Sequence, residues 1–236
     1  MDTNFPAGTP RCGYPVEIQA LWYAALVFTK RAELAEKVRE SIEKYYFPAF
    51  CEGASDCLHC TRGTPAAKAE PDDHIRPNAL LLITMGALGN RELALKILRS
   101  SAQLLVPGAI RTLADKPVRY PLPVTYDGRL LNDPHAPYCG AYEGPENESR
   151  KKAYHNGTAW CWPFPAYCEA LRMVGGPAAA ARARALLESM IDYYEDGVPG
   201  ELPEVADGDA PHQLGGCPAQ AWSITEFYRV HKLLAD

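Results

Sequence analysis

The chain has 236 residues, of which 47% are hydrophobic and 22% are charged, and its formal net charge is −5 at neutral pH. This composition is typical of a single globular domain, and the lack of a basic stripe argues against a nucleic-acid-binding protein. The sequence shows neither a signal-peptide pattern nor an apolar run near the ~18 residues of a membrane span, so we expect a cytoplasmic location and eight reduced cysteines.

Apolar residues at helical spacing predict about seven helices along the chain. The first follows an opening loop rich in Pro and Gly, and it carries Ile18, Leu21 and Trp22 on a broad apolar face. Prolines mark two boundaries, because Pro48 ends the second helix and Pro77 begins the third. The predicted helices span residues 16–29, 32–47, 78–88, 91–105, 158–174, 178–195 and 218–234.

Short and long connections alternate between these helices. Tight turns lie near residues 30–31, 89–90 and 174–177, whereas long loops cover residues 48–76, 106–156 and 196–216. Helix hairpins in series, each joined tightly at one end, predict an all-α fold, either an α/α toroid or a solenoid of helix pairs. We expect strands only as a small hairpin within the 106–156 loop.

The stretch from 197 to 226 holds a dense set of polar side chains in a loop that runs straight into the last helix. Its Gly and Pro residues exclude regular structure, and loops of this kind often carry binding sites. Carboxylates and amides bind sugar hydroxyls, and a flat indole packs under a sugar ring. The loop therefore favours a carbohydrate site, and the alternative is a solvated acidic loop. The side chains concerned are Glu201, Glu204, Asp207, Asp209, His212, Gln220 and Trp222.

Two other clusters carry possible chemistry. The run 153–162 combines His155, an amide and two indoles, which is again the inventory of a sugar site, although a capped helix start with a Trp-filled core is the alternative. Cys57, His59 and Cys60 resemble a zinc knuckle only superficially, because a second ligand pair is lacking. We therefore expect no metal and no other cofactor.

Hydrolysis of a glycosidic bond requires one carboxylic acid to protonate the leaving oxygen and a second carboxylate to activate water or attack the sugar. A closed ring of helices would bring Asp2 of the first loop near the acids of the last loop. Spacing alone does not choose among those acids, and Asp2 has the simpler interpretation of an ordinary terminal residue.

Several motifs resemble the C-terminal glucosidase domain of glycogen debranching enzymes, the amylo-α-1,6-glucosidases. They occur in the family's order over nearly the whole chain, which makes the match specific. In sequence they are Met1-Asp2, GYPVEIQALWY at 13–23, RPN at 76–78, VPGAIRTL at 106–113, YHNGTAW at 154–160, and the residues PE at 203–204 through DGD at 207–209 to GCPAQAWS at 216–223.

The resemblance implies an (α/α)₆ toroid that releases glucose, with inversion, from the α-1,6 branch points of glycogen or limit dextrin. It assigns the general acid to Asp2 and the general base to Glu204. Hydrolysis of another α-glucoside and glucan binding without catalysis are the competing functions. The expected glucan contacts are Glu17, Trp22, Arg76, Asn78, His155, Trp160, His212, Gln220 and Trp222, and core packing is the alternative for each Trp.

The same resemblance predicts that residues 1–236 form one domain that is only the C-terminal part of the toroid. About seven helices are too few to close the ring, and the acid lies at the very start of the sequence. We therefore expect open apolar faces on the first and last helices, and activity that needs an upstream N-terminal half in cis or trans.

Overall fold

The computed structural model describes residues 8–235. The predicted acid Asp2 therefore lies outside the described residues. The α-helices are α1 (Val16–Phe28), α2 (Ala32–Tyr45), α3 (Leu80–Thr84), α4 (Arg91–Ser101), α5 (Lys151–Ala153), α6 (Phe164–Gly175), α7 (Ala180–Glu188), α8 (Asp192–Asp196) and α9 (Ala221–Ala235). The strands are β1 (Gly13–Pro15), β2 (Cys57–His59), β3 (Glu70–Pro71), β4 (Leu105–Val106), β5 (Ala109–Arg111), β6 (Thr125–Tyr126), β7 (Arg129–Leu130), β8 (Ala159–Trp160), β9 (Val205–Ala206) and β10 (Leu214–Gly215).

Helix α6 forms the centre of the helical part. It packs against α3, α4, α7 and α9, and every residue from Phe164 to Ala170 is buried. Proline is tolerated at the start and in the first turn of a helix, which explains why α6 begins directly after Pro163 and accepts Pro165. Its end coincides with Gly176, whose φ of 66° suits a residue without a side chain.

Helices α1 and α2 form an antiparallel hairpin beside this centre. Helix α1 is apolar on nearly all sides, yet only one side is covered, by contacts that bury Val16, Ala20, Tyr23 and Leu26. The opposite side leaves large apolar side chains in solvent, namely Ile18, Leu21, Trp22, Val27 and Phe28. None of the helices in the described part of the chain has the length and apolar character needed to span a bilayer.

A five-stranded antiparallel sheet joins three distant segments of the chain. Its strand order is β10-β9-β8-β5-β4, and in this register Trp160 pairs with both Ile110 and Val205. A second sheet, in the order β1-β2-β3, places Tyr14 opposite Leu58, and β6 and β7 form a separate hairpin. The five-stranded sheet brings the 106–113, 154–160 and 203–216 motifs together.

The predicted all-α toroid is wrong, because residues 8–235 form a mixed fold of helices and three β-sheets. The strands of the large sheet are two or three residues long, so they show no alternating pattern that a sequence could reveal. Only the small hairpin expected within 106–156 is confirmed, as β6 and β7.

Some helix boundaries also differ from the prediction. Residues 159–160 form β8 instead of the start of a helix, because Trp162 precedes Pro163 and a residue before proline disfavours the helical conformation. The helix predicted over 178–195 divides into α7 and α8, and the one over 78–88 shortens to a turn at Pro77–Ala79 followed by α3.

Candidate active site

Glu204 occupies the position just before β9, where the backbone is fixed on both sides. Its N–H donates to the Cys217 carbonyl at 2.8 Å, and its carbonyl accepts from the Cys161 N–H at 3.3 Å. The side chain receives two further hydrogen bonds. The Tyr154 hydroxyl donates to Oε1 at 3.2 Å, and the Cys217 N–H donates to Oε2 at 2.9 Å. The carboxylate is therefore held in one orientation by donors from two separate segments.

Gly216 makes the second of these contacts possible. Its φ is 68°, and a Cβ atom placed there would lie 2.7 Å from Glu204 Oε2. Any other residue would both strain the backbone and collide with the carboxylate.

The neighbouring acids of the same loop have structural partners. Asp207 Oδ1 accepts the Tyr142 N–H at 2.7 Å, and Asp209 Oδ1 accepts the Tyr138 hydroxyl at 2.8 Å. These bonds fasten the 138–142 segment to the acidic loop, so both carboxylates are used in holding loops together. Glu204 differs from them because its carboxylate adjoins a group of several packed aromatic rings.

That aromatic group, which we call the aromatic cluster, consists of Tyr142, Tyr154, His155 and Trp160. Ring centroids lie 5.5 Å apart for Tyr142 and Tyr154, 4.4 Å for Tyr154 and His155, and 5.5 Å for His155 and Trp160. The buried Trp160 indole donates from Nε1 to the Tyr154 carbonyl at 3.0 Å. These ring contacts and this hydrogen bond fix the position of Tyr154, whose hydroxyl reaches Glu204.

Two cavities adjoin this cluster, and His155 lines both. The larger, here the tyrosine cavity, has a volume of about 430 Å³. The smaller, here the tryptophan cavity, includes Trp160 and Trp162 in its wall. The Trp162 indole stacks on Trp222 at 3.9 Å with an interplanar angle of 12°, and Trp222 is half exposed. The tyrosine cavity is lined by Gly8, Tyr142, Glu146, Arg150, Lys151, Tyr154 and His155; the tryptophan cavity by Arg76, Pro77, Asn78, Thr112, His155, Trp160, Trp162 and Pro163.

Arg76 holds the backbone that carries His155. Its buried guanidinium donates to the carbonyls of Thr112 and His155, and to Asn156 Oδ1 at 2.9 Å. Burial lowers the pKa of His155 to about 3, so its imidazole is neutral near pH 7. A neutral imidazole can both donate and accept a hydrogen bond, as a sugar hydroxyl does.

A buried charge cluster supports Arg76 and Asn78 from behind. Asp56 accepts the Asn78 side-chain amide at 2.7 Å and contacts the Nε atoms of Arg11 at 2.6 Å and Arg76 at 3.5 Å. Burial opposes ionisation of Asp56, but the two guanidinium groups outweigh it and lower the pKa of this carboxyl. Both carboxylate oxygens of Glu17 accept from Arg11, at 2.5 and 2.6 Å.

The structure brings together six of the nine residues expected to contact glucan. Arg76, Asn78, His155 and Trp160 line the tryptophan cavity, Trp222 joins it through Trp162, and Glu17 contacts the charge cluster beside Asn78. Gln220 lies near the segment that carries Glu204, since its N–H donates to the Leu202 carbonyl. Its Oε1 accepts a hydrogen bond from Ser223 at 2.9 Å.

The remaining two lie elsewhere. Trp22 lines a groove between α1 and α2 with Tyr14, Leu26 and Val38, away from both cavities described above. His212 uses Nδ1 within its own loop, 2.9 Å from the Asp207 carbonyl oxygen.

The cysteine-rich cluster is part of the second sheet and its surroundings. The His59 imidazole bonds Asp72 Oδ2 at 3.0 Å, and burial raises the pKa of Cys51 to about 11 and that of the Cys57 thiol as well. Within residues 8–235, no three His, Cys, Asp or Glu side chains are arranged to hold a metal ion.

Sequence reasoning did not single out Tyr154 or Asp56 as members of the site, and it counted Trp162 only as one of the two indoles of the run 153–162. Tyr154 and Trp162 stand inside the run 153–162, so the motif contained them, but only the fold shows that the Tyr154 hydroxyl reaches Glu204. Asp56 has no local sequence signal, because its partners Arg11, Arg76 and Asn78 come from other segments.

Comparison with known protein families gives one match of nearly full length. The sequence profile of the family described as amylo-alpha-1,6-glucosidase matches residues 1–229. A search among curated proteins found no match.

Proposed function

Because the chain belongs to the amylo-alpha-1,6-glucosidase family, we propose that it hydrolyses the α-1,6-linked glucose at branch points of glycogen or limit dextrin. Glu204 is the general base and takes a proton from the attacking water. Asp2 is the general acid and protonates the leaving glucosyl oxygen. Water attacks from the face opposite the leaving group, so the product inverts its anomeric configuration.

The observation that carries this proposal is the setting of Glu204. Its carboxylate is held by the Tyr154 hydroxyl and the Cys217 N–H, beside an aromatic cluster. An ionised carboxylate can accept about four hydrogen bonds, so these two leave capacity for a water molecule. A base must be held firmly to act on a water molecule, and the two donors supply that restraint.

The rim of the tryptophan cavity supports sugar binding at the protein surface, since the cavity itself, at about 40 Å³, is too small to enclose a sugar ring. The Trp162 and Trp222 indoles provide a stacked apolar face, and His155 and Asn78 provide polar groups in the same wall or beside it. Trp222 is exposed enough to meet a glucan chain, whereas the buried Trp160 serves to position Tyr154. Gln220 is the further hydroxyl contact nearest to Glu204 in this proposal.

Glu204→Gln in the full-length protein tests the assignment. This change keeps the size of the side chain and removes the base, so glucose release from a limit dextrin should fall by at least about 10²–10⁴-fold while glucan binding is retained. Glu201→Gln is the matched control, because Glu201 lies in the same loop and remains partly exposed. Its turnover should equal that of the wild type.

Other results would favour the competing functions. A wild-type protein that binds glycogen but releases no glucose would indicate a glucan-binding protein without catalysis. A wild-type protein that hydrolyses only unbranched α-glucosides would indicate a different glucosidase. Glu204→Gln with wild-type turnover would remove Glu204 from the mechanism in either case.

A further inference from the structure

The residues that line the tyrosine cavity carry more positive than negative charge, and the Glu204 carboxylate adjoins the cavity through the Tyr154 hydroxyl. Arg150 and Lys151 line it together with one carboxylate, that of Glu146. The Arg150 guanidinium lies 5.8 Å from the centre of the Tyr142 ring, and Lys151 Nζ lies 6.0 Å from the centre of the Tyr126 ring. No salt bridge formed within residues 8–235 neutralises either cation.

Lys151 is the more unusual of the two cations. It is only 4% exposed, and its Nζ has no hydrogen-bond partner in the described part of the chain. Arg150 Nε is likewise buried without a partner there. An unpaired buried ammonium group is costly, because burial removes its water without replacing it by a counter-charge. An anion bound in the cavity would supply that counter-charge.

The remaining walls of the cavity suit a sugar ring. Tyr142 and Tyr154 stack at 5.5 Å with an interplanar angle of 28°, and the Tyr142 N–H is anchored on Asp207 at 2.7 Å. The volume of about 430 Å³ lies within the range of about 300–1,000 Å³ that is usual for small-molecule sites. A ring with apolar faces and hydroxyl edges therefore has both aromatic surface and polar partners here.

We propose that the tyrosine cavity binds a hexose that carries a phosphomonoester group. Lys151 and Arg150 contact the phosphate, and Tyr142 and Tyr154 contact the ring. A phosphate dianion matches two cations, and the guanidinium fork is suited to two of its oxygens. The hexose part of this inference rests on the proposed function, whereas the anion part rests on the lining charges alone. Such a group belongs either to a phosphorylated glucan chain or to a free sugar phosphate.

Calorimetric titration of the full-length protein tests the inference without any turnover, so a failure of hydrolysis leaves it standing. The probes are glucose 6-phosphate, glucose and inorganic phosphate. We expect glucose 6-phosphate to bind at least about tenfold more tightly than either of the others. Lys151→Met should weaken its binding about tenfold or more, because a hydrogen bond to a charged group is lost.

Lys152→Met is the matched control, since Lys152 is the next residue along the chain and does not line the cavity. It should bind glucose 6-phosphate as the wild type does. Arg150→Met serves as a second variant and decides the matter if Lys151→Met does not fold. A phosphorylated maltooligosaccharide that binds more tightly than glucose 6-phosphate assigns the cavity to a glucan chain, and equal affinity assigns it to a free sugar phosphate.

Two results would overturn the inference. One is equal affinity for glucose and glucose 6-phosphate, which would show that the cations do not act on the ligand. The other is wild-type affinity for glucose 6-phosphate in both Lys151→Met and Arg150→Met. Inorganic phosphate binding as tightly as glucose 6-phosphate would contradict the role of the two tyrosines.

Discussion

The Tyr154 hydroxyl donates a hydrogen bond of 3.2 Å to Glu204 Oε1, across a sequence separation of 50 residues. Burial, together with the negative charge of Glu204, raises the pKa of Tyr154, so the phenol remains a donor at physiological pH. Tyr154 is therefore a positioning residue for the proposed base.

Removing this hydroxyl should slow the chemical step. Tyr154→Phe keeps the ring contacts with Tyr142, His155 and Trp160 but removes a hydrogen bond to a charged group, which is worth about 1.5–3 kcal/mol. We expect kcat to fall roughly tenfold or more, with little change in KM and a shift in the pH profile of kcat. Steady-state kinetics on limit dextrin across a pH series measure both. A rise in KM at unchanged kcat would mean that Tyr154 acts only on substrate binding.

The close approach of Gly216 to Glu204 gives a second prediction, with a matched control. Gly216→Ala and Gly200→Ala both place a side chain at positive φ, 68° and 82°, so each should cost about 1–2 kcal/mol of stability. Only at position 216 does the new Cβ collide with Glu204, whereas Gly200 has open space around it.

Activity should therefore separate the two variants. We expect Gly216→Ala to lose roughly tenfold or more in kcat/KM, because displacement of a catalytic group by about 1 Å can cost about 100-fold. Gly200→Ala should keep the wild-type kcat/KM. Equal activity in both variants, measured under conditions in which both are folded, would show that the position of Glu204 is not critical.

The buried charge cluster around Asp56 should contribute more to the free energy of unfolding than an exposed ion pair does. Asp56→Asn leaves Arg11 and Arg76 without their shared counter-charge, and loss of one partner in a buried pair costs about 3–5 kcal/mol. Glu36→Gln breaks the exposed pair with Arg39 and should cost less than about 1 kcal/mol. Urea unfolding of the two variants measures the difference. Similar free energies of unfolding would contradict the role given to Asp56.

His155 should make the protein less stable in acid. In the unfolded chain the His155 imidazole takes up a proton as the pH falls through about 6.5. In the folded protein burial lowers its pKa to about 3, so protonation requires a lower pH. Between these values the unfolded state binds more protons, so this contribution to stability is complete above about pH 6.5 and is lost as the pH falls towards 3. His155→Gln should flatten the pH dependence of the free energy of unfolding in that interval. An unchanged slope from urea titrations at pH 4 to 7 would refute this.

Much of the helical part could be predicted from the sequence. The apolar spacing over 16–29 correctly predicted α1, although Ile18, Leu21 and Trp22 lie on its exposed side. Helices close to the predicted bounds form α2, α4 and α9, whereas α6 begins later than predicted. Periodicity succeeds there because each of these helices presents several turns to a core. It failed for the five-stranded sheet, whose strands are too short to show a period and are joined by contacts between distant segments.

Only some residues of the candidate site could be predicted from the sequence. Motifs made Glu204 and His155 candidates, because those residues stand in runs that resemble a known family, and their roles stay predictions. The hydroxyl of Tyr154 and the carboxylate of Asp56 gained their importance from the fold, which places them against residues far away in sequence. Trp22 shows that a motif can also mislead, because this motif residue lies in a separate groove beside α1 and not near Glu204.

If Glu204 activates water for an inverting hydrolysis, the glucose released first has the configuration opposite to that of the α-1,6 bond. Proton NMR during the first seconds of limit-dextrin hydrolysis distinguishes the two anomers of released glucose before they equilibrate. We predict β-glucose first, from a reaction that Glu204→Gln abolishes and Glu201→Gln leaves unchanged. α-Glucose as the first product would exclude this role for Glu204, because retention requires a carboxylate that attacks the sugar itself.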